Sequence, residues 1–336
     1  MPLARLFRNS PRWTILVILA VVFLAAGLLA IRPGSRSRRV ISHFACNFVC
    51  TKCNAFEPID FDIEFFGLRY RGRTDNLIDR QILQFGAFEK PMLYFSRDVA
   101  AALGSDGSYV DVGANVGQYS LFMSKYVRRV HSFEPYPPVL ERFRDLVALN
   151  GISNVEIHPV GLGDQPAELP FFAPPGENLG VGSFVENFGP DNSDAGGLKL
   201  TIRVGDDELG NLEGETIVLI KIDIEGFEKP ALHGLARTLT AHRPVVMLEL
   251  NIDPRSEISF HREEEFVQAF PPDYRFLAFD PERGDLARGI YQTIEFVPDF
   301  TRSNQSNVVA LPAELSDRIP RSNRDTSGAS IAMNHP

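Results

Sequence analysis

The chain has little cysteine, a single tryptophan and, over most of its length, a shortage of positive charge. With only three cysteines in 336 residues, a disulfide scaffold is excluded as the basis of the fold. Residues 1–39 contain seven arginines and no acidic residue, whereas residues 40–336 carry 27 basic and 43 acidic side chains. Because nonspecific nucleic-acid binding needs a cationic surface, this acidic remainder argues against a nucleic-acid partner.

One long segment has no charge at all. Trp13–Ile31 is 19 residues long, and at about 1.5 Å per helical residue it can nearly cross a ~30 Å hydrocarbon core. Arg12 and Arg32 mark its two ends. We predict a basic flank over 1–12, a transmembrane helix over 13–31 and a juxtamembrane linker over 32–58. The alternative is a cleaved signal peptide, which the length of the segment and its poor cleavage site disfavour.

The three cysteines, Cys46, Cys50 and Cys53, are clustered in the predicted linker. Their C-x3-C-x2-C spacing is typical of an iron–sulfur motif, and His43 could complete a four-ligand zinc set. Acylation near the membrane is a third possibility. We favour unmodified thiols, because a single α/β domain follows and supplies no further cysteine.

The most informative segment is YVDVGANVGQYS, residues 109–120. A short apolar strand runs into a glycine turn, after which the apolar spacing becomes helical. In the dinucleotide fingerprint a middle glycine admits a pyrophosphate, but Asn115 stands at that place here. A ligand without a pyrophosphate, such as S-adenosylmethionine, needs no such clearance. We therefore predict that Asp111, Gly113, Asn115 and Gly117 shape a cofactor pocket, although glycines at such turns can also be purely structural.

Further elements follow in the order of an α/β nucleotide-binding domain. Residues 129–133 form a second apolar strand, and Glu134 stands where an acid accepts hydrogen bonds from ribose hydroxyls. Asp164, in the turn after the third strand, is also predicted to contact the cofactor. The remaining predicted elements are a helix over 138–150 and strands over 155–160, 216–224 and 244–250.

Three sequence blocks carry a family resemblance. Residues 111–117 (DVGANVG), 133–135 (FEP) and 221–228 (KIDIEGFE) together resemble the FkbM-type methyltransferases, over about 61–312. Gly86–Glu89 resembles an element that precedes the cofactor domain in that family. The resemblance implies a Rossmann-like class I methyltransferase sheet, S-adenosylmethionine as cofactor and methyl transfer, often to a hydroxyl of a sugar or natural product.

Three acidic residues are the predicted catalytic groups. Asp223, Glu225 and Glu249 lie at or near the ends of two predicted strands, and the carboxyl ends of parallel strands meet at one edge of a sheet. One of them could accept the proton of an acceptor hydroxyl. Alternatively, Glu225 could cap the next helix, or the carboxylates could bind Mg²⁺. We predict no metal, and we expect His131, inside the second strand, to be a hydrogen-bonded core residue.

The predicted domain limits follow from these elements. A preamble of hairpin and helix occupies 59–105, and the methyltransferase domain occupies 106–315. Strands over 274–279 and 307–311 are expected to form an antiparallel pair at the edge of the otherwise parallel sheet. The polar tail over 316–336 is expected to be disordered.

The combined hypothesis is a single-pass, membrane-anchored methyltransferase that uses S-adenosylmethionine and modifies a hydroxyl of a sugar, glycolipid or natural product. Because the cofactor is made in the cytosol, we expect the catalytic domain to be cytoplasmic. The alternatives are an NAD(P)-dependent oxidoreductase and a catalytically idle, membrane-anchored cofactor-binding module.

Overall fold

The computed structural model describes residues 58–173, 182–185, 197–210, 212 and 214–323. The predicted transmembrane helix over 13–31 and the three cysteines lie outside the described residues. Among those residues, none of the helices combines the length and the apolar character needed to cross a bilayer. The chain separates into two units, 1–58 and 59–336, and the described residues from 59 onward all belong to the second.

A central sheet of eight strands organises the second unit, as the predicted α/β fold requires. Its order is β12-β11-β13-β10-β9-β3-β4-β5, and β3, β4, β5, β9 and β10 are parallel. These strands are β3 (Ser108–Val112), β4 (Arg129–Phe133), β5 (Val155–His158), β9 (Ile217–Ile222), β10 (Val245–Ile252), β11 (Tyr274–Phe279), β12 (Thr293–Glu295) and β13 (Asn304–Pro312).

Apolar composition explains why β3 and β9 lie in the middle of the sheet. Every residue of SYVDV in β3 and of IVLIKI in β9 is buried, as expected of strands covered on both faces. The two faces carry separate apolar clusters, one including Phe95, Phe122 and Met247, the other including Ile220 and Leu248. The predicted antiparallel edge is confirmed, since β13 pairs antiparallel with β10 and β11.

Helices cover both faces of this sheet. They are α1 (Leu77–Phe85), α2 (Lys90–Leu103), α3 (Gln118–Met123), α4 (Pro137–Leu149), α5 (Gly205–Glu208), α6 (Glu228–Gly234), α7 (Ala236–His242) and α8 (Glu263–Gln268), with a short 3₁₀ turn at Ala313–Leu315. Helix α3 begins directly after Gly117, and α4 begins after the β4 strand, both as predicted.

The preamble is a hairpin followed by two helices. Strands β1 (Asp60–Phe65) and β2 (Leu68–Arg73) pair antiparallel in the predicted hairpin. Asn150, at the end of α4, anchors the hairpin: its side chain accepts a hydrogen bond from Arg69 N (2.7 Å) and donates one to Arg69 O (2.9 Å). The preamble therefore packs on the α/β domain.

Two predictions need correction here. The segment after the third parallel strand, predicted as a turn, forms a strand instead: β6 (Gly161–Gly163) pairs with β8 (Lys199–Val204) in a small sheet that also contains β7 (Ala167–Pro170). The tail is folded as far as residue 323, because Arg321 O accepts a hydrogen bond from Thr293 N and Asn323 Oδ1 accepts one from Tyr291 N.

Candidate active site

A cavity opens at the carboxyl ends of β3, β4 and β9, where open α/β sheets bind their ligands. It brings together six of the nine residues predicted for cofactor binding and catalysis. These six are Gly113, Asn115, Glu134, Asp223, Glu225 and Glu249. The preamble contributes Leu77, Ile78 and Phe88 to the wall.

The two glycines of the turn have a left-handed backbone, and neighbouring protein atoms rather than a ligand explain why they are glycines. Gly113 has φ +84°, and a Cβ there would lie 1.9 Å from the carbonyl oxygen of Asp223. Gly117 has φ +81°, and its Cβ would lie 2.0 Å from the Phe143 ring. Both glycines are therefore required by the close approach of neighbouring protein atoms, and Gly117 is not part of the cavity wall.

Asn115 also has a left-handed backbone, with φ +53°, a conformation that asparagine tolerates better than most residues. Its N–H donates to Glu134 Oε2 at 2.9 Å, and Tyr136 N donates to Glu134 Oε1 at 2.8 Å. These two bonds hold the Glu134 carboxyl against the turn. Burial raises the pKa of Glu134 to about 7, although the two backbone bonds oppose the shift.

Two predicted cofactor residues do not line the cavity. Asp111 is only 1% exposed and accepts a hydrogen bond from Ser120 Oγ (2.5 Å) beneath the turn. Asp164 is exposed and absent from the wall, although Gly161 and Leu162 of the same segment line it. Its contact with the cofactor stays a prediction, and Asp111 has a supporting position.

The three predicted catalytic carboxyl groups do converge. Asp223, Glu225 and Glu249 each offer an oxygen atom within 4.8 Å of the others. Asp223 directly follows β9, whereas Glu249 lies inside β10, which continues to Ile252 rather than ending at the glutamate. Glu225 is held in a tight turn with φ +52°.

Helix α6 begins after Phe227 without a side-chain cap hydrogen bond, so the structure gives no support to the helix-capping alternative for Glu225. Glu228 Oε1 accepts hydrogen bonds from Gly226 N (2.8 Å) and from Asn251 Nδ2 (3.1 Å). The Glu225 backbone is fixed separately, since its carbonyl accepts a bond from Ser183 Oγ at 2.6 Å. The Glu225 side chain thereby remains in the cavity wall.

Lys221 is a functional candidate that the sequence analysis quoted only as part of a motif. It is 4% exposed, its Nζ lies 2.8 Å from Asp223 Oδ2, and it sits 4.6 Å from the centre of the Tyr119 ring. Burial by itself lowers the pKa of Lys221, but the negative charges of Asp223, Asp111 and Glu89 raise it well above its usual value. The site therefore contains a fixed positive charge beside Asp223. A metal ion bound to Asp223 would have to compete with this ammonium group.

Glu89, in the Gly86–Glu89 element of the preamble, also reaches this cluster. It precedes α2 in a left-handed conformation with φ +47°. Its carboxyl accepts a hydrogen bond from Tyr119 Oη (3.1 Å) and another from Asn307 Nδ2 (3.4 Å). Because Asn307 is the register partner of Glu249 across β10 and β13, Glu89 lies beside the predicted catalytic residues.

The clustered carboxyl groups cannot all carry a charge at neutral pH. Burial, followed by the charge of Asp223, raises the pKa of Glu249 to about 10 and that of Glu225 to about 8. The same two causes raise the pKa of Glu89 to about 7. Protonated glutamates can donate hydrogen bonds, so the site combines donors, acceptors and one ammonium group.

This fold and its carboxylate-rich cavity place the protein in the class of Rossmann-like α/β methyltransferases. The sequence matches the family described as "Methyltransferase FkbM domain" over residues 111–281. The chain therefore belongs to the FkbM methyltransferase family, which confirms the resemblance found in the sequence.

Individual relatives are more distant. "Methyltransferase 1" of Beauveria bassiana is 29% identical over 151 residues, 40% of this chain and 61% of the relative. The AMB antimetabolite synthetase AmbE of Pseudomonas aeruginosa is 27% identical over 190 residues, 47% of this chain and 9% of the synthetase. The chain thus covers less than two thirds of either relative. The crystal structure of methyltransferase FkbM from Methylobacillus flagellatus is 19% identical, with a TM-score of 0.37 over 61% of this chain and 44% of that one.

Proposed function

We propose that the protein transfers a methyl group from S-adenosylmethionine to a hydroxyl of a small-molecule, glycan or lipid acceptor. One observation carries the proposal: the cavity at the carboxyl ends of the strands joins a left-handed backbone turn to a cluster of carboxyl groups. Family membership supports methyl transfer, and the choice of cofactor and acceptor rests on the chemistry of the cavity.

The wall of the cavity favours a cofactor without a pyrophosphate. Among the described residues that line the cavity, the carboxylic acids are Glu134, Asp223, Glu225 and Glu249, and the one base, Lys221, is paired with Asp223. The anionic pyrophosphate of a nicotinamide dinucleotide would therefore find no unpaired cation in this wall. When bound, S-adenosylmethionine supplies a methyl group on a positively charged sulfur, which needs no such cation. Glu134 is placed to accept hydrogen bonds from ribose hydroxyls.

Asp223 is the best placed acceptor for the proton of the methyl acceptor. Asp223 Oδ2 lies 2.8 Å from Lys221 Nζ, and this ion pair fixes the carboxylate just after the end of β9. Glu225 and Glu249, whose pKa values of about 8 and about 10 favour the protonated form at pH 7, would donate hydrogen bonds that orient the acceptor. The roles of the three predicted catalytic residues are therefore different from one another.

Calorimetry with purified protein tests the cofactor. We expect S-adenosylmethionine to bind and NAD to give no signal, and Glu134→Gln to weaken cofactor binding about tenfold or more, because hydrogen bonds to a charged group are lost. Glu141→Gln, an exposed glutamate on α4, is the matched control. Tight NAD binding, or a Glu134→Gln variant with wild-type affinity, would contradict the assignment.

Transfer of a labelled methyl group into extracts of a strain that lacks the protein tests the chemistry. We expect Asp223→Asn to reduce transfer at least about 100-fold, the usual contribution of a general base, while cofactor affinity stays within a few-fold. Glu141→Gln should transfer at the wild-type rate. Full activity of Asp223→Asn would remove Asp223 from the mechanism, and absence of any labelled product with the wild type would favour the idle binding module.

We further propose that residues 13–31 anchor the protein in a membrane with the methyltransferase domain in the cytoplasm. Their uncharged run and the cytosolic origin of the cofactor support this arrangement. Protease protection on intact cells and on inverted vesicles tests it. Shielding of the domain in inverted vesicles would reverse the orientation, and recovery of the protein in the soluble fraction would exclude the anchor.

A further inference from the structure

A second cluster of ligand-type side chains lies on strands β4 and β5, and it uses none of the proposed catalytic residues. His131 of β4 and Glu156 of β5 are register partners, and His158 follows two positions later on the same face. Nitrogen and oxygen atoms of the three side chains all lie within 4.8 Å of one another. Strand β5 is the edge of the central sheet, so the cluster joins an edge strand to its neighbour in that sheet.

The surroundings of His131 orient its ring. Its side chain is fully buried, and its Nε2 lies 3.0 Å from Glu215 Oε2. Glu215 also accepts a hydrogen bond from Ser108 Oγ (2.6 Å) and forms an ion pair with Arg129 (3.0 Å). Because a carboxylate only accepts, the His131 proton belongs on Nε2, and Nδ1 presents a lone pair. Carboxylates hold the outer nitrogen of metal-binding histidines in this same way.

The inner nitrogens lack partners. Among the described residues, neither His131 Nδ1 nor His158 Nε2 has a hydrogen-bond partner, although both atoms are buried. His131 Nδ1 faces Glu156 Oε2 at 3.8 Å, and His158 Nε2 faces Glu156 Oε1 at 3.9 Å. These separations are too long for hydrogen bonds. They leave two ring nitrogens directed at a carboxylate with a gap between them, so His131 is the expected hydrogen-bonded core residue only through its Nε2.

The gap has the dimensions of a metal site. With metal–ligand distances of about 2.0–2.2 Å, ligand atoms of a tetrahedral zinc ion lie roughly 3.4 Å apart. The two histidine–carboxylate separations of 3.8 and 3.9 Å would have to close by about half an ångström, and no separation within the cluster exceeds 4.8 Å. The His158 ring is stacked on Phe133, with 4.4 Å between centroids and 15° between planes, which fixes its position. Glu156 is 55% exposed, so an ion and a water ligand could enter from solvent.

We propose that His131 Nδ1, His158 Nε2 and the Glu156 carboxylate bind one divalent transition-metal ion of the zinc type, with water as the fourth ligand. Two imidazoles and one carboxylate form a ligand set that suits Zn²⁺ and disfavours Mg²⁺, which prefers oxygen. The ion would tie the edge strand β5 to β4 and so support the strand that positions Glu134. The site is independent of the proposed cofactor and acceptor.

Zinc binding to the full chain tests the proposal, in a background with Cys46→Ser, Cys50→Ser and Cys53→Ser because those thiols are potential zinc ligands too. Equilibrium dialysis with elemental analysis should give one zinc per chain. Glu156→Gln and His158→Gln should each weaken binding at least about tenfold. His233→Gln, at an exposed histidine outside the cluster, should bind as the parent does. Cobalt(II) should give the intense visible absorption of a tetrahedral site in the parent and lose it in Glu156→Gln.

Two results would overturn the metal site. One is absence of bound zinc in the cysteine-free chain. The other is equal zinc affinity in the parent, Glu156→Gln and His158→Gln. Since Glu156 is largely exposed, its substitution should leave the fold intact, and circular dichroism of the variant checks this.

Discussion

At the scale of single residues, Gly113 does more for the protein than for a ligand. Because Gly113 has no Cβ, the carbonyl group of Asp223 can approach it closely. This contact fixes the position of Asp223, at the end of β9, relative to the turn after β3. The glycine that the sequence associates with cofactor binding thus acts on the cofactor site and the proposed catalytic base together.

Gly113→Ala should therefore be far more damaging than an ordinary glycine substitution. Gly86 is a matched control, because its φ of +83° equals that of Gly113 within 1° and its Cβ would meet only Lys90 Nζ at 3.7 Å. We expect Gly86→Ala to lower the free energy of unfolding by roughly 1 kcal/mol. Gly113→Ala should cost roughly 2–3 kcal/mol more and abolish methyl transfer. Urea denaturation and the labelled-methyl assay measure both; equal losses for the two variants would show that the contact with Asp223 is unimportant.

Residue patterns predicted much of the site but not its full membership. Asp223, Glu225 and Glu249 were found because each stands at or near the end of an apolar run. Glu89 lies more than 100 residues earlier, before a helix, and only the tertiary fold places it beside Asn307 and Tyr119. Lys221 lies within the apolar run of β9, and the sequence alone does not show that its ammonium group pairs with Asp223.

At the scale of elements, the apolar runs predicted which segments form strands better than they predicted the residues at which those strands end. Strand β10 continues three residues beyond Glu249 because β13 pairs with it along that length, and this pairing is not encoded in the run itself. The segment that contains Asp164 shows the same limitation: the turn predicted after the third parallel strand contains a strand that pairs in another sheet, and this pairing is not encoded locally.

Asp79 connects three elements of the preamble and the domain. Its side chain is fully buried and accepts hydrogen bonds from Tyr70 Oη (2.7 Å), Arg73 N (2.7 Å) and Arg142 Nη2 (2.6 Å). Arg142 belongs to α4, so the contact ties the hairpin and α1 to the domain. It also stabilises the part of the cavity wall that α1 provides.

Asp79→Ala should lower the free energy of unfolding by about 3 kcal/mol, because it leaves a partly buried guanidinium and a buried hydroxyl without their acceptor. Asp145→Ala, at an exposed position on the same helix as Arg142, should change it by less than about 0.5 kcal/mol. Urea denaturation measures both, and hydrogen exchange should show the hairpin losing protection first. A loss below about 1 kcal/mol for Asp79→Ala would mean that the preamble is held mainly by its apolar contacts.

At the scale of the whole molecule, stability should depend on pH in an unusual direction. Burial raises the pKa values of five glutamates in and around the cavity, to about 7 for three of them, about 8 for one and about 10 for one. They are Glu89, Glu134, Glu228, Glu225 and Glu249. The folded protein keeps these protons where the unfolded chain, with pKa values near 4.5, releases them. The free energy of unfolding must then fall as the pH rises from about 5 to about 9.

Urea denaturation at pH 6 and pH 9 measures this fall. Glu249→Gln removes the group with the largest pKa shift. At pH 9 the variant should therefore be more stable than the wild type by at least about 1 kcal/mol, the free-energy equivalent of a shift of less than one pKa unit. At pH 5 the wild type and the variant should be nearly equal. Glu141→Gln should follow the wild type at each pH. A Glu249→Gln variant with the full alkaline loss would show that Glu249 is charged in the folded protein.

The same charges give the proposed cofactor a pH-dependent advantage over its product. S-adenosylmethionine and S-adenosylhomocysteine differ by the methyl group and the positive charge on sulfur, so their affinity ratio reports the charge of the cavity. Glu134 and Glu225 ionise with pKa values of about 7 and about 8, which makes the cavity more negative above that range. We expect calorimetry to show the ratio in favour of S-adenosylmethionine rising at least about tenfold between pH 6 and pH 8.5. The rise should shrink in Glu225→Gln, which removes one of the titrating charges, and persist in Glu141→Gln. A ratio that is constant with pH would mean that the sulfonium is bound away from these carboxyl groups.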